Sequence, residues 1–201
     1  MDYPRAEAYI LRKLRQELPS SLFYHGLHHT LDVLDQAQQL ASAEGLTDPD
    51  ELILLRTAAL YHDAGFLTTY QGHEAAGCEL VRQVLPAFHY LPAQVELVCQ
   101  LIMATQVPQN PGSMRLAQLL CDADLDYLGR PDFWPISRSL FDELRVRHLV
   151  TDERGWNQIQ VRFLEAHRYW TPSALGRREA EKQARLAEIR AWLAAPENQA
   201  L

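Results

Sequence analysis

The stretch "DPDELILLRTAALYHDAG", residues 48–65, decides the fold class. Asp48 before Pro49 is a helix start: the carboxylate can accept from free N–H groups of the first turn, and proline is tolerated at the first helical position. Leu52, Leu55, Ala59 and His62 then recur at spacings of three and four, one face of a helix, until Gly65 stops the pattern. Thr171-Pro172 repeats the cap-then-proline start, and no apolar/polar alternation lies between hairpin turns. The chain is therefore expected to be all-α. Helices are predicted at about 3–18, 28–43, 50–64, 73–85, 92–105, 114–128, 133–147, 156–167 and 172–194.

The 201 residues, 47% hydrophobic, suffice for one sizeable core, and no linker or repeat marks a boundary. A single domain is expected over 1–201. A formal charge of −7 argues against a sequence-independent grip on nucleic acid or an anionic membrane. No apolar run approaches the ~20 residues that span a bilayer, and the charged start "MDYPRAEAYILRKL" does not fit a signal peptide. The expectation is a cytoplasmic protein whose main partner is a small molecule. Cys78, Cys99 and Cys121 sit far apart in apolar patterns and read as reduced core thiols.

Chemistry is concentrated in three places. His62 closes the inner row of its helix with Asp63 beside it, and a buried aspartate–histidine pair is costly unless both are paired or bind a cation. Taken alone, the pair fits a helix-capping histidine with a solvated aspartate better. In "RLAQLLCDADLDYLG", helical phase groups Asp124 with Ala117, Leu120, Cys121 and Leu128, while Asp122 and Asp126 fall on a more polar face and read as a solvated acidic helix end. In "FYHGLHHTLDVLDQA", residues 23–37, His29 begins the inner row His29, Val33, Gln36, Leu40. Two imidazoles and two carboxylates make a mixed nitrogen and oxygen set suited to Mn, Fe, Co, Ni, Mg or Zn with water in open positions.

"YHGLHHT", "HDAGF" and "DADLDYLG" together resemble the H…HD…D signature of the HD-domain metal-dependent phosphohydrolases. The resemblance covers roughly residues 25–128. It implies a helical bundle with a metal-site core at about 22–130 and a C-terminal extension at about 131–201. It also implies one divalent cation at His29, His62, Asp63 and Asp124, activating water against a phosphoester or phosphoanhydride of a nucleotide or another small phosphorylated metabolite. His25, four residues before His29, is similar to the leaving-group acid of the cyclic-nucleotide phosphodiesterase branch, although Gly26 stands where that branch usually has asparagine. His73, in "GHEAAG", lies where some HD proteins place a ligand for a second metal. With Thr105 and Gln106 at the end of the following helix and no further histidine there, a mononuclear site is expected, and His73 reads as a phosphate contact or a partner of the ligands. Asp63, His25 and His73 are thus the candidate catalytic residues. Arg130, Arg168, Arg177, Arg178 and Lys182 are weighed as phosphate clamps, though a charged helix is more often a solvated face. Two other classes stay open: a non-catalytic metal- or nucleotide-binding regulatory module, and an HD-type iron oxygenase.

Overall fold

A computed structural model of the chain describes residues 1–198, so the last three residues of the expected extension lie outside the described residues. Among the described residues there are nine α-helices and no strand. They are α1 (Tyr3–Glu17), α2 (Leu27–Ala43), α3 (Pro49–Tyr61), α4 (His73–Val84), α5 (Pro92–Ala104), α6 (Arg115–Asp124), α7 (Phe133–Val146), α8 (Glu153–Ala166) and α9 (Pro172–Ala194). The starts follow the predicted chemistry. Asp48 Oδ1 accepts from the N–H groups of Asp50 and Glu51 at 2.9 and 3.0 Å, and Thr171 Oγ1 accepts from Ala174 N–H at 3.2 Å. None of these helices is long and apolar enough to cross a membrane.

The chain divides into two compact units, Met1–Asp124 and the remainder from Leu125. In the first, α3 is the central element and packs against α1, α2, α5 and α6. Every residue from Thr57 to Phe66 is buried, so the second half of α3 is enclosed on all sides rather than along one stripe. Leu55, Leu60 and Tyr61 are completely buried, each stabilising the fold by about 1.5–3 kcal/mol relative to exposure. Its polar groups are matched: Tyr61 donates to Ala6 O at 2.9 Å, and the hydroxyls of Thr57 and Tyr90 share a bond of 2.6 Å. Cys78, Cys99 and Cys121 are free thiols in this core. Cys78 and Cys99 each donate to the other's carbonyl, at 3.5 and 3.7 Å, and Cys121 donates to Ala104 O at 3.1 Å.

Two predicted helices end early. The third stops at Tyr61, with His62 as its cap, and a 3-10 turn, Ala64–Leu67, follows. The sixth stops at Asp124 rather than at 128, where Leu125 (φ −108°, ψ 18°) leads into a 3-10 turn, Asp126–Gly129. Both breaks fall at residues singled out for chemistry.

In the second unit, α8 packs along α9, and Phe141, Val150 and Trp156 form a small core with Leu140, Leu144 and Ile159. Asp126 is buried there and accepts from Arg178 Nε at 2.8 Å, with Arg130 at 3.8 Å. Lys182 is buried too, donating to His167 O at 2.8 Å and pairing with Glu179 at 2.9 Å.

The approach of α4 to the end of α3 depends on Gly65. A Cβ there would lie 1.8 Å from the His73 carbonyl oxygen and 2.8 Å from Gly77 N, both backbone atoms that cannot rotate away. Gly77 in turn faces Gly65 N and Tyr61 O at 3.4 Å, so the two glycines bring the backbones together. Gly65→Ala is expected to force α4 outward and to lower stability by about 1–3 kcal/mol. Urea unfolding checks this, and an unchanged midpoint would contradict the close approach.

Candidate metal centre

Four side chains from three segments of the first unit converge. His29 is in the first turn of α2, where its N–H donates to Gly26 O at 3.0 Å. His62 and Asp63 stand where α3 gives way to the 3-10 turn, and Asp124 is the last residue of α6. Neighbouring side chains on a regular helix diverge by about 100°. The break after Tyr61, with Asp63 at φ −98° and ψ 6°, instead lets His62 and Asp63 face one point: His62 Nε2 is 3.2 Å from Asp63 Oδ2.

His29 Nε2 lies 3.2 Å from Asp124 Oδ1 and 3.6 Å from Asp63 Oδ2, and His62 Nε2 is 3.6 Å from Asp124 Oδ1. One ligand atom each from His29, His62 and Asp124 falls within 4.8 Å of the others. His29, His62 and Asp63 are buried, and the Asp124 side chain is 14% exposed. His62 Nδ1 is 2.8 Å from Ala59 O, so it carries the proton and donates, leaving Nε2 as the inward nitrogen. His62 Nε2 and Asp63 Oδ2 are buried without a hydrogen-bond partner among the described residues. Such orphaned atoms each cost on the order of 1–3 kcal/mol unless something satisfies them. A divalent cation fits this set, since two imidazole nitrogens and two carboxylates face one another at 3.2 to 3.6 Å.

In the metal-free protein a proton on His62 meets the demand of the carboxylates for positive charge. Burial disfavours the imidazolium of His62, but the carboxylates of Asp63 and Asp124 outweigh it and push the pKa up to about 9. Burial likewise opposes ionisation of Asp63, yet His62, His73 and His25 hold its carboxyl well below the usual range.

His73 is the first residue of α4, placed by the Gly65 approach, with Nε2 at 3.4 Å from Asp63 Oδ1 and 3.5 Å from Glu74 Oε1. Burial lowers its pKa, and Asp63 and Glu74 raise it by more, favouring the proton-carrying form. His25 is half-buried. Its ring is 6.0 Å from that of His29 and 6.2 Å from that of His73, with Phe66 at 4.4 Å. Phe66 stacks on His73 at 3.9 Å and 18°, so one phenyl ring braces both imidazoles. Tyr24 packs on His29 at 4.5 Å. His28 is exposed on the outer face. Thr105 turns its hydroxyl back to Ile102 O at 2.8 Å, and Gln106 is exposed.

The reading of Asp122 and Asp126 as a solvated acidic end is corrected: they are 0% and 1% exposed. Asp126 leaves the helical phase because α6 has ended, and its counter-charge, Arg178, is a distant residue that spacing cannot reveal. Glu74, Phe66 and Tyr24 were not singled out from sequence. Glu74 adjoins His73 in an ordinary helix start, and the two aromatic residues carry no polar signature. The basic residues weighed as clamps all belong to the second unit, where Arg130 pairs with Asp132 at 2.5 Å, Arg168 lies over Trp170, Arg177 is exposed, and Arg178 and Lys182 have the acidic partners above.

The HD domain family model matches residues 26–127. The chain belongs to the HD domain family. No curated protein and no solved structure matches it. Membership places the chain, at a coarse level, among metal-dependent hydrolase-type proteins, whose divalent-metal chemistry is compatible with the His29, His62 and Asp124 cluster.

In metal-free protein, NMR titration of His62 is expected to give a midpoint near 9. Asp63→Asn should lower it by more than about one unit, because the largest favourable charge is lost while burial remains. A wild-type midpoint near 6.5 would contradict the proximity of the carboxylates.

Proposed function

We propose that this HD protein is a metal-dependent phosphohydrolase acting on a phosphoester or phosphoanhydride of a nucleotide or another small phosphorylated metabolite. His29, His62, Asp63 and Asp124 are proposed to hold one divalent cation. The observation that supports this most is the buried His62 Nε2 and Asp63 Oδ2, 3.2 Å apart, each without a hydrogen bond among the described residues, opposite His29 and Asp124.

A divalent cation held there lowers the pKa of water and polarises a phosphoryl oxygen. The protein does the rest. Asp63 divides its oxygens, Oδ2 toward His29 and His62 and Oδ1 toward His73 Nε2. The His73 imidazole therefore stands at the edge of the cluster, where a developing negative charge needs a donor. The oxygen of a water that has lost one proton to solvent would join phosphorus as the bond to the leaving oxygen breaks, and His25 or His73 would give that leaving oxygen its proton. Phe66, packed against both rings, fixes their planes before substrate arrives.

Two substitutions separate binding from proton transfer. Asp63→Ala should abolish release of inorganic phosphate from a nucleotide panel and remove bound metal while leaving the helical circular dichroism intact. His25→Ala should keep the metal, lose about 10²–10⁴-fold in rate, and lose less on an aryl phosphate, whose leaving group needs no proton. Equal losses on good and poor leaving groups would remove His25 from that role, and no turnover of any phosphate by wild-type protein carrying metal would contradict the function.

A further inference from the structure

The loop between α5 and α6 sends one side chain to the cluster. Gln109 Nε2 donates to Asp124 Oδ2 at 3.1 Å and to Cys121 O at 3.3 Å. Both contacts are to acceptors, so the amide orientation is settled: a nitrogen satisfies the pair and an oxygen satisfies neither. The loop is itself anchored, with Asn110 N–H donating to Ala104 O at 3.3 Å and Gln118 Nε2 to Gly112 O at 2.7 Å. Cys121 Sγ donates to that same Ala104 carbonyl, tying α6 to the end of α5 where the loop departs.

We infer that Gln109 is the positioning residue of the metal centre, holding Asp124 Oδ2 so that Oδ1 alone is presented between His29 and His62. The inference rests on the proposal that a cation sits among these residues. Asp124 is the last residue of α6, where a helix frays, and its side chain is the least buried of the four. Left to itself this carboxylate can rotate or turn both oxygens inward. A neutral amide prevents that without cancelling the negative charge that the cation requires, as an arginine or lysine would. With one oxygen occupied, Asp124 supplies a single donor atom, and coordination positions stay open for water and substrate. The amide also leaves a trace of its purpose: Gln109 Oε1 is buried without a hydrogen-bond partner among the described residues, so the side chain is placed for what its nitrogen reaches.

Gln109→Met and Gln109→Leu keep an apolar side chain of similar size and remove the donor. Co²⁺ is the probe, with affinity measured in competition against a chelator, the visible absorption of the bound ion as a reporter of ligand number and geometry, and the unfolding midpoint measured in EDTA. The expected result is a loss of about 10–100-fold in Co²⁺ affinity with an altered absorption spectrum, beyond any fall in the metal-free midpoint from the lost hydrogen bonds. Unchanged affinity and spectrum in either folded variant would overturn the inference. So would a fall in affinity that tracks a fall in the midpoint while the spectrum stays the same, because Gln109 would then only hold the loop. Failure of wild-type protein to bind Co²⁺ at all would instead overturn the proposed cation site.

Discussion

Burying His29, His62, Asp63 and Asp124 together is the constraint on which the first unit turns. Charged groups leave water at a cost of several kcal/mol each, and mutual attraction offsets it only where every lone pair and proton has a partner. Here His62 Nε2 and Asp63 Oδ2 have none among the described residues. The surrounding fold accepts this arrangement by design: α3 is enclosed on all sides up to the point where it stops, and the stop itself aims two consecutive side chains at one place. The proposed cation would turn an electrostatic liability into a binding site, which ties the proposed function to the stability of this region.

Gly65 supplies the second dimension of the site. Its missing Cβ lets the start of α4 lie against the 3-10 turn, and that contact delivers His73 to the far oxygen of Asp63, with Glu74 beside His73. His62, Asp63 and His73 thus derive from one local geometry, a helix end followed by a close backbone approach, while His25, His29 and Asp124 come from other segments. Phe66, within the same turn, locks the outer rings by stacking. The sequence "HDAGF" therefore specifies two cluster residues, a packing contact and a brace in five positions.

The helical class was legible because apolar spacing and cap chemistry are local, and Asp48, Thr171 and the prolines after them act within one turn. His62 and Asp124 were legible as inward residues because His62, the cap of α3, keeps helical dihedrals (φ −57°, ψ −41°) and Asp124 is the last residue of α6. Phase fails beyond them. Asp126 was misassigned to a solvated face because α6 ends at Asp124 and because its counter-charge, Arg178, is distant in sequence. Gln109 was invisible for a related reason: a glutamine in a loop rich in proline has no periodicity, and its partner is defined only once the loop has folded back on α6.

The central claim is that one cation is held by His29, His62, Asp63 and Asp124. Anomalous diffraction from crystals grown with Mn²⁺ tests it most directly. The account predicts one strong peak per chain, bonded to Nε2 of both histidines and to oxygens of both aspartates. A peak placed instead on His73 and Glu74, or no peak among the four residues at saturating Mn²⁺, would contradict it.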